Sequence, residues 1–146
     1  MISKGSNLPN EDHVMRYVPW SKLRRDEKEQ VIGFLPTAFE LRENEQSLSL
    51  NWLEYFSGDR NHKIRESVDT FRRVRKVGAK SAYGIGKVGQ IKDICDAHGA
   101  RVRIVYEPDV DNLAHAGIRR LPPDDLSLLD ALASQAFTEL VHNADV

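Results

Sequence analysis

Alternating polar and apolar residues mark two strands in the first third of the chain. Every second side chain of residues 47–52 is apolar, which is the spacing of a strand that buries one face. Residues 13–18 alternate less strictly and stop before Pro19, a residue that cannot donate to a strand ladder. Both segments are predicted to be strands, and the polar positions of residues 47–52 should lie on the face opposite the core.

Apolar residues at helical spacing predict three helices farther along the chain. The clearest covers residues 60–77, where a charged face lies opposite the apolar stripe. A second helix, over residues 88–98, ends at Gly99, and a strand over residues 101–106 follows it. The third begins after two prolines and has an apolar stripe that continues to Leu140.

This order of elements predicts a single α/β domain, with a mixed α+β arrangement as the alternative. We expect a small mixed sheet and about three main helices, because helices and strands interleave without a strict repeating rhythm. Residues 1–11 are polar and contain Gly5 and Pro9, so they predict a flexible N-terminal arm ahead of a globular domain of residues 12–146.

Composition narrows the class of protein. The chain has 146 residues, and 21 Lys and Arg against 22 Asp and Glu give a formal net charge of -1, which argues against a generally basic nucleic-acid binder. Its first residues contain no apolar leader, and no apolar run approaches the length of a membrane span. We therefore expect a cytoplasmic protein that does not associate with membranes. Cys95, the single cysteine, falls in the apolar set of the second helix and should be buried.

Three glycines have the spacing of a dinucleotide-binding turn. Gly84, Gly86 and Gly89 form G-x-G-x-x-G, and Glu107 follows at a distance that suits a ribose contact. The polar residues 80–83 before them do not resemble the buried strand that such a turn requires. The alternative is that residues 81–88 are themselves a strand whose glycines allow close packing. Dinucleotide binding is one of three functions that the sequence leaves open, and no pattern identifies a cofactor.

A histidine-dependent enzyme that acts on a nucleotide or a phosphodiester is the first of these functions. Histidine can act as a general base near neutral pH, and arginine can bind a phosphate or a carboxylate through two hydrogen bonds. The candidate catalytic residues are His13, His115 and Glu54, and the candidate substrate-binding residues are Arg16, Asn51, Asn112 and Arg119. Asp109 and Asp111 are weak candidates for metal ligands, because their spacing matches no ordered metal motif.

A non-catalytic subunit that docks on a partner is the second function. Residues 59–80 contain eight Lys and Arg against three acids, whereas residues 121–146 contain five acids and no Lys or Arg. The basic side chains Arg65, Arg72, Arg73 and Lys76 could bind a nucleotide or nucleic acid, and solvated charge on a helix is the ordinary alternative. The basic helix face could also pair with the acidic terminal helix, within the fold or across a homo-oligomer, and either helix could dock on a protein partner.

Three segments together resemble an uncharacterised group of small bacterial proteins. They are His-x-x-Arg-Tyr at residues 13–17, Leu-Ser-Leu-Asn-Trp-Leu-Glu-Tyr-Phe at residues 48–56, and Asn-Leu-Ala-His-Ala at residues 112–116. The resemblance covers most of the chain. It implies a bacterial origin and one coherent domain, and it carries no activity.

Overall fold

Six strands form one antiparallel sheet in the computed structural model, which describes residues 2–146. Along the chain the strands are β1 (His13–Val18), β2 (Leu23–Arg25), β3 (Val31–Phe34), β4 (Ser47–Trp52), β5 (Ala82–Lys87), β6 (Arg103–Tyr106), β7 (His115–Arg119) and β8 (Glu139–His142). The helices are α1 (Arg60–Val74), α2 (Val88–Ala97) and α3 (Leu126–Ala131), and a π-helical turn (Leu132–Ala136) continues α3. The strand order in the large sheet is β6-β7-β4-β1-β5-β8, and β2 and β3 form a separate hairpin.

The two faces of the large sheet bury different sets of side chains. On one face, apolar side chains of β1 and β4 such as Val14 and Leu50 join the main core with α2 and α3. On the other face, Met15 of β1 and Ile85 of β5 pack against α1, where Phe71 contributes to a smaller core. This second face also carries the polar side chains of β4 and β7, so Asn51, His115 and Arg119 lie on the same face as α1.

The structure confirms the predicted mixture of helices and strands in a single domain. The bounds of β1 and β4 match the two segments of alternating residues. The helix α1 begins where it was predicted, because the Asp59 side chain caps it by accepting a hydrogen bond from the backbone N–H of His62 at 2.8 Å. All strand pairings in the large sheet are antiparallel, so the mixed sheet that we expected is not found and α+β describes the fold better.

The C-terminal segment differs from its prediction. Helical structure ends at Ala136, and Leu140, which the sequence assigned to the third helix, lies in β8. The ring of Phe137 stacks on that of Phe39 with centroids 4.6 Å apart, and this contact holds the chain where it turns towards the sheet. Leu140 fits both a helical stripe and a strand, and the pairing of β8 with β5 decides between them.

The N-terminal residues also differ from their prediction. Residues 5–8 pair with β6 instead of forming a flexible arm: the Gly5 N–H donates to the Tyr106 carbonyl at 2.7 Å, and the Leu8 N–H donates to the Ile104 carbonyl at 2.9 Å. The side chain of Leu8 is buried in the main core. The sequence did not predict this pairing, because the segment is mostly polar and backbone groups form the hydrogen bonds. The globular domain therefore includes residues that the sequence placed outside it.

Protein atoms fill the space beside the three glycines of the dinucleotide pattern. A Cβ on Gly84 would lie 3.0 Å from the Phe34 ring, and a Cβ on Gly86 would lie 2.9 Å from the Ala136 carbonyl oxygen. A Cβ on Gly89 would meet Asn10 at 3.1 Å. Gly84 and Gly86 lie within β5 itself, so they serve close packing, as the alternative interpretation of this pattern held. The geometry lends no support to a pyrophosphate cradle.

Substitution of these glycines should show that they are packing positions. Gly86→Ala should lower the free energy of unfolding by about 1–2 kcal/mol, because the added methyl group meets a backbone carbonyl that cannot rotate away. Gly84→Ala should have a smaller effect, because it meets the edge of a phenylalanine ring. Urea unfolding of the two variants measures the difference, and equal stabilities would contradict this explanation.

The part of the chain that the structure describes, residues 2–146, contains no helix that is both long and apolar enough to cross a membrane.

Candidate functional site

The first strand and the segment after β4 bring two candidate catalytic residues together. The Glu54 carboxylate accepts a hydrogen bond from the His13 backbone N–H at 2.7 Å, and its second oxygen lies 2.9 Å from His13 Nδ1. Glu54 belongs to a short 3-10 turn, Leu53–Tyr55, that follows β4 directly. Because β1 and β4 are neighbours in the sheet, this turn lies beside the start of β1. We call the two residues the His13–Glu54 dyad.

The hydrogen bonds of the dyad fix the protonation pattern of the imidazole. An ionised carboxylate only accepts hydrogen bonds, so Nδ1 carries the hydrogen and the neutral ring has its lone pair on Nε2. Among residues 2–146, no hydrogen bond from the protein engages Nε2. The His13 side chain is 37% exposed and that of Glu54 is 25% exposed. The ring is therefore oriented by protein and reachable from solvent, as a general base must be.

A small cavity of about 190 Å³ opens at the dyad. Besides His13 and Glu54 it is lined by Leu53 and by two cations from the first turn of α1, Arg60 and Lys63. Arg60 forms an ion pair with Glu139 of β8. Within the described residues, Lys63 forms no ion pair, which leaves its ammonium group available to an anion.

Asp12 adds a second carboxyl group next to the dyad. It accepts a hydrogen bond from Trp52 Nε1 at 2.8 Å. Burial raises the pKa of the Asp12 carboxyl above its ordinary value; the Trp52 hydrogen bond opposes this shift, and the nearby charge of Glu54 adds to it. The main effect of Asp12 is to hold the indole of Trp52 under the start of β1.

Comparison with known proteins does not identify the chain. No family model, curated protein or solved structure matches it. A functional assignment therefore depends on the geometry of the side chains themselves.

The structure places His115 in a different cavity from His13. Both side chains lie on the face of the sheet that carries α1, because Asn51 of β4 is paired with Met15 on one side and with His115 on the other. His115 lines a cavity of about 280 Å³ at the C-terminal end of α1, and its Nδ1 lies 2.9 Å from the Glu107 carbonyl oxygen. Among residues 2–146 the two cavities share no lining residue. The two histidines are thus not brought together in one site.

Asn51 and Asn112 form a buried polar network between these cavities. The Asn112 side-chain amide donates to Asn51 Oδ1 at 2.7 Å, and Asn51 Nδ2 donates to the hydroxyl of Ser67 in α1 at 3.1 Å and to its carbonyl at 3.3 Å. Asn112 Oδ1 in turn accepts from the Ala114 N–H at 3.1 Å. The network joins β4, α1 and the loop before β7, so these amides stabilise the fold. Both residues line the larger cavity, but Asn51 is completely buried and Asn112 is nearly so.

Arg16 does not lie with the dyad. Its guanidinium donates to the Ala38 carbonyl at 2.8 Å and to the Ser49 carbonyl at 2.9 Å. Burial lowers the pKa of Arg16 to about 10, and the charge of Glu45 partly offsets this shift. The alternation of β1 sends Arg16 and His13 to opposite faces, as predicted for a regular strand. Two N–H groups of Arg16 serve backbone carbonyls, and the structure does not bring this residue together with His13.

Arg119 is also engaged within the protein. Its Nε lies 2.6 Å from the Glu107 carboxylate, which accepts a further hydrogen bond from the Ser47 hydroxyl at 3.0 Å. Glu107 packs over Gly117, where any Cβ would overlap the carboxylate. Glu107 is therefore part of an ion pair on the sheet, and the sequence-based suggestion of a ribose contact has no support in this geometry.

The weak metal candidates lie in an exposed turn. Asp109 and Asp111 both line the larger cavity. In residues 2–146, no group of three or more His, Cys, Asp or Glu side chains is arranged to hold a metal ion.

The basic side chains of α1 have different surroundings. Arg72 donates to the Asn143 side chain at 2.9 Å and to the Val146 carbonyl at 3.1 Å, so it fastens the C-terminal residues. Arg73 donates to the Thr70 hydroxyl at 3.3 Å, and Arg65 and Lys76 are exposed. Among residues 2–146, no ion pair joins the basic face of α1 to the acidic α3; the ion pair between the basic and acidic segments is that of Arg60 with Glu139 of β8.

The thiol of Cys95 is buried, as its position in the apolar stripe predicted. Burial, with a smaller contribution from the charge of Asp96, raises the pKa of Cys95 to about 11. The thiolate is therefore scarce at neutral pH, and Cys95 is not suited to act as a nucleophile.

Lys63 is the site residue that sequence reasoning missed. It belongs to the basic segment, but its position in the first turn of α1, shortly after Glu54, marks it as a neighbour of the dyad. Helical spacing could have identified it. Lys63 and Ser67 are four residues apart, so they lie on the same side of α1, and Ser67 contacts β4.

Proposed function

We propose that this protein is a histidine-dependent enzyme that cleaves or transfers a phosphate ester of a nucleotide or another phosphodiester. The observation that carries the proposal is the His13–Glu54 dyad, in which a carboxylate orients an imidazole whose Nε2 is free beside a cationic side chain. We further propose that it works in a bacterial cytoplasm, as the resemblance of its segments to small bacterial proteins implies.

His13 supplies the base in this proposal. Nε2 removes a proton from a water molecule or a substrate hydroxyl, and the oxygen then forms a bond to phosphorus while the bond to the leaving oxygen breaks. The proton on His13 passes to the leaving oxygen. Glu54 acts by holding the Nδ1 hydrogen, which fixes the tautomer whose lone pair is on Nε2 and stabilises the imidazolium formed during the reaction.

Lys63 binds the phosphate group in this proposal. Its ammonium group neutralises charge on the phosphoryl oxygens, and Arg60, held by Glu139, adds to the positive potential. A cavity of about 190 Å³ accommodates a phosphate group but is well below the size usual for a whole ligand of nucleotide size. The remainder of the substrate would therefore lie on the surface around the cavity.

Two substitutions at the dyad test this function. With bis(4-nitrophenyl) phosphate as a small chromogenic phosphodiester, His13→Gln should lower kcat/KM by about 100-fold, because it removes the base. Glu54→Gln should lower kcat/KM comparably. The carboxylate accepts from both the backbone N–H and the Nδ1–H of His13, whereas an amide has only one acceptor oxygen. The variant therefore cannot satisfy both donors, and the imidazole loses its fixed tautomer. The release of 4-nitrophenolate measures the rate.

The matched control is His142→Gln, since His142 is exposed in β8 and lines no part of this cavity. It should retain the full rate, and thermal unfolding of all three variants separates lost chemistry from lost structure. Absence of turnover by the unaltered protein on a panel of phosphodiesters and nucleotides, or turnover that survives both dyad substitutions, would reject the proposal.

A further inference from the structure

The larger cavity, at the C-terminal end of α1, has opposite charges on its two sides. Arg75 follows α1, and its guanidinium lies over the ring of Tyr17 at 5.2 Å. Asp109 and Asp111 lie in the turn before β7. None of these three side chains belongs to an ion pair within residues 2–146. The charges line the same cavity without neutralising each other.

The turn that carries the two carboxylates is held in place. The Asp109 N–H donates to the Asn112 carbonyl and the Asn112 N–H donates to the Asp109 carbonyl, both at 3.0 Å. The Asn112 side chain is anchored to Asn51, which is itself bonded to α1. Arg75 is likewise positioned by the aromatic ring beneath it. The backbone that carries the two carboxylates is therefore fixed by hydrogen bonds, and the Arg75 guanidinium has an aromatic contact.

His115 supplies a neutral acceptor between the charged walls. A backbone carbonyl only accepts hydrogen bonds, so the contact with the Glu107 carbonyl assigns the hydrogen of a neutral ring to Nδ1. Nε2 then carries the lone pair, and within the described residues no protein group donates to it. An ammonium group on a ligand can donate to this nitrogen as well as to the aspartates.

An apolar wall completes the cavity. Phe71 and Val74 of α1 line it, and Val74 remains 39% exposed although it lies at the end of an apolar stripe. Because α1 ends here, its last carbonyls add negative potential, which favours a cationic group near the helix terminus. An aliphatic side chain of a ligand would cover Phe71 and Val74.

We infer that this cavity binds a small zwitterion of the α-amino-acid class with an apolar side chain. Arg75 binds the carboxylate, Asp109, Asp111 and His115 Nε2 receive the ammonium group, and Phe71 and Val74 contact the side chain. A simple anion is disfavoured by the two aspartates, and a metal cation is disfavoured by Arg75. A volume of about 280 Å³ suits a ligand of amino-acid size. The site is separate from the dyad, so the inference does not depend on the proposed phosphate chemistry.

Calorimetric titration with L-leucine, L-leucinamide and N-acetyl-L-leucine tests this site. Leucine should bind, whereas leucinamide, which lacks the carboxylate, and N-acetyl-leucine, which lacks the ammonium group, should each bind at least about 10-fold more weakly. No heat with leucine at about 10 mM, where even a millimolar Kd would be saturated, would overturn the inference. Equal affinities for all three compounds would overturn it too, because they would show that neither charge is recognised.

Charge-neutralising variants locate the binding. Arg75→Gln should weaken the binding of leucine by at least about 10-fold, and it should abolish the difference in affinity between leucine and leucinamide. The double variant Asp109→Asn, Asp111→Asn should abolish the difference between leucine and N-acetyl-leucine. Arg65→Gln, at an exposed position of α1 outside the cavity, is the matched control and should bind leucine normally. Leucine binding that survives both cavity variants would place the ligand elsewhere and reject the inference.

Discussion

Replacement of Asn51 by leucine should lower the free energy of unfolding by about 4 kcal/mol. The Asn51 side chain is completely buried and makes three hydrogen bonds, two to Ser67 and one with Asn112. Leucine has a similar volume, but it leaves the Asn112 amide and the Ser67 carbonyl without this partner. A buried polar group that loses its partner costs about 1–3 kcal/mol. Urea unfolding measures the loss.

A double-mutant cycle distinguishes this network from simple packing. Ser67→Ala removes the hydroxyl that Asn51 contacts. The loss in free energy of unfolding for the variant with both Asn51→Leu and Ser67→Ala should be smaller than the sum of the two single losses by about 1 kcal/mol, since both substitutions break the same hydrogen bond. Asn61→Leu is the control, because Asn61 is exposed on the same helix. A loss below about 1 kcal/mol for Asn51→Leu would mean that the network contributes little to stability.

Arg16→Leu should destabilise the protein by about 3 kcal/mol. The register of β1 and β4 contains only the pairs Val14–Trp52 and Met15–Asn51, and beyond them the Arg16 guanidinium donates to the Ser49 carbonyl of β4. Its second contact is the Ala38 carbonyl. Burying the guanidinium is itself unfavourable, as the lowered pKa indicates, and leucine removes that cost. Two partly buried carbonyls that lose their donors outweigh this gain.

The control for Arg16 is Arg24→Leu, an exposed position of β2. Arg16→Lys should fall between the unaltered protein and Arg16→Leu, because one ammonium group cannot reproduce the planar fork that reaches two carbonyls. Chemical unfolding of the three variants gives the order. A leucine variant as stable as the unaltered protein would show that burial of the guanidinium costs as much as its hydrogen bonds contribute.

The sequence predicted those elements whose signals are local. Strand β4 has strict alternation, and α1 has both an apolar stripe and a capping aspartate, Asp59. Strand β7 was missed because Ala116 and Gly117 at its centre have low strand propensity, and its burial depends on pairing with β4 and β6. Strand β8 was mistaken for helix for the same reason: its partner, β5, lies far away in the chain.

The candidate site was predicted as a set of residues but not as an arrangement. His13 and Glu54 were both candidates, yet their contact joins positions 41 residues apart and follows from the neighbouring places of β1 and β4 in the sheet. His115 was grouped with them, because a sequence cannot show that a buried amide network separates two cavities on one face. Arg16 was predicted to contact an anion. No local sequence pattern shows that β1 and β4 stop pairing after Met15 and Asn51, or that the Arg16 guanidinium donates to a β4 carbonyl at that point.

The pairing of residues 5–8 with β6 has a consequence for how the protein is made. These residues are synthesised before β6, and β1 to β5, α1 and α2 lie between the two segments along the chain. Until β6 has been synthesised, the backbone groups of residues 5–8 lack the strand with which they pair. Contacts between such distant parts of a chain form slowly. The edge of the sheet at β6 is therefore closed only after the segments that carry β1 to β5, α1 and α2 have been synthesised.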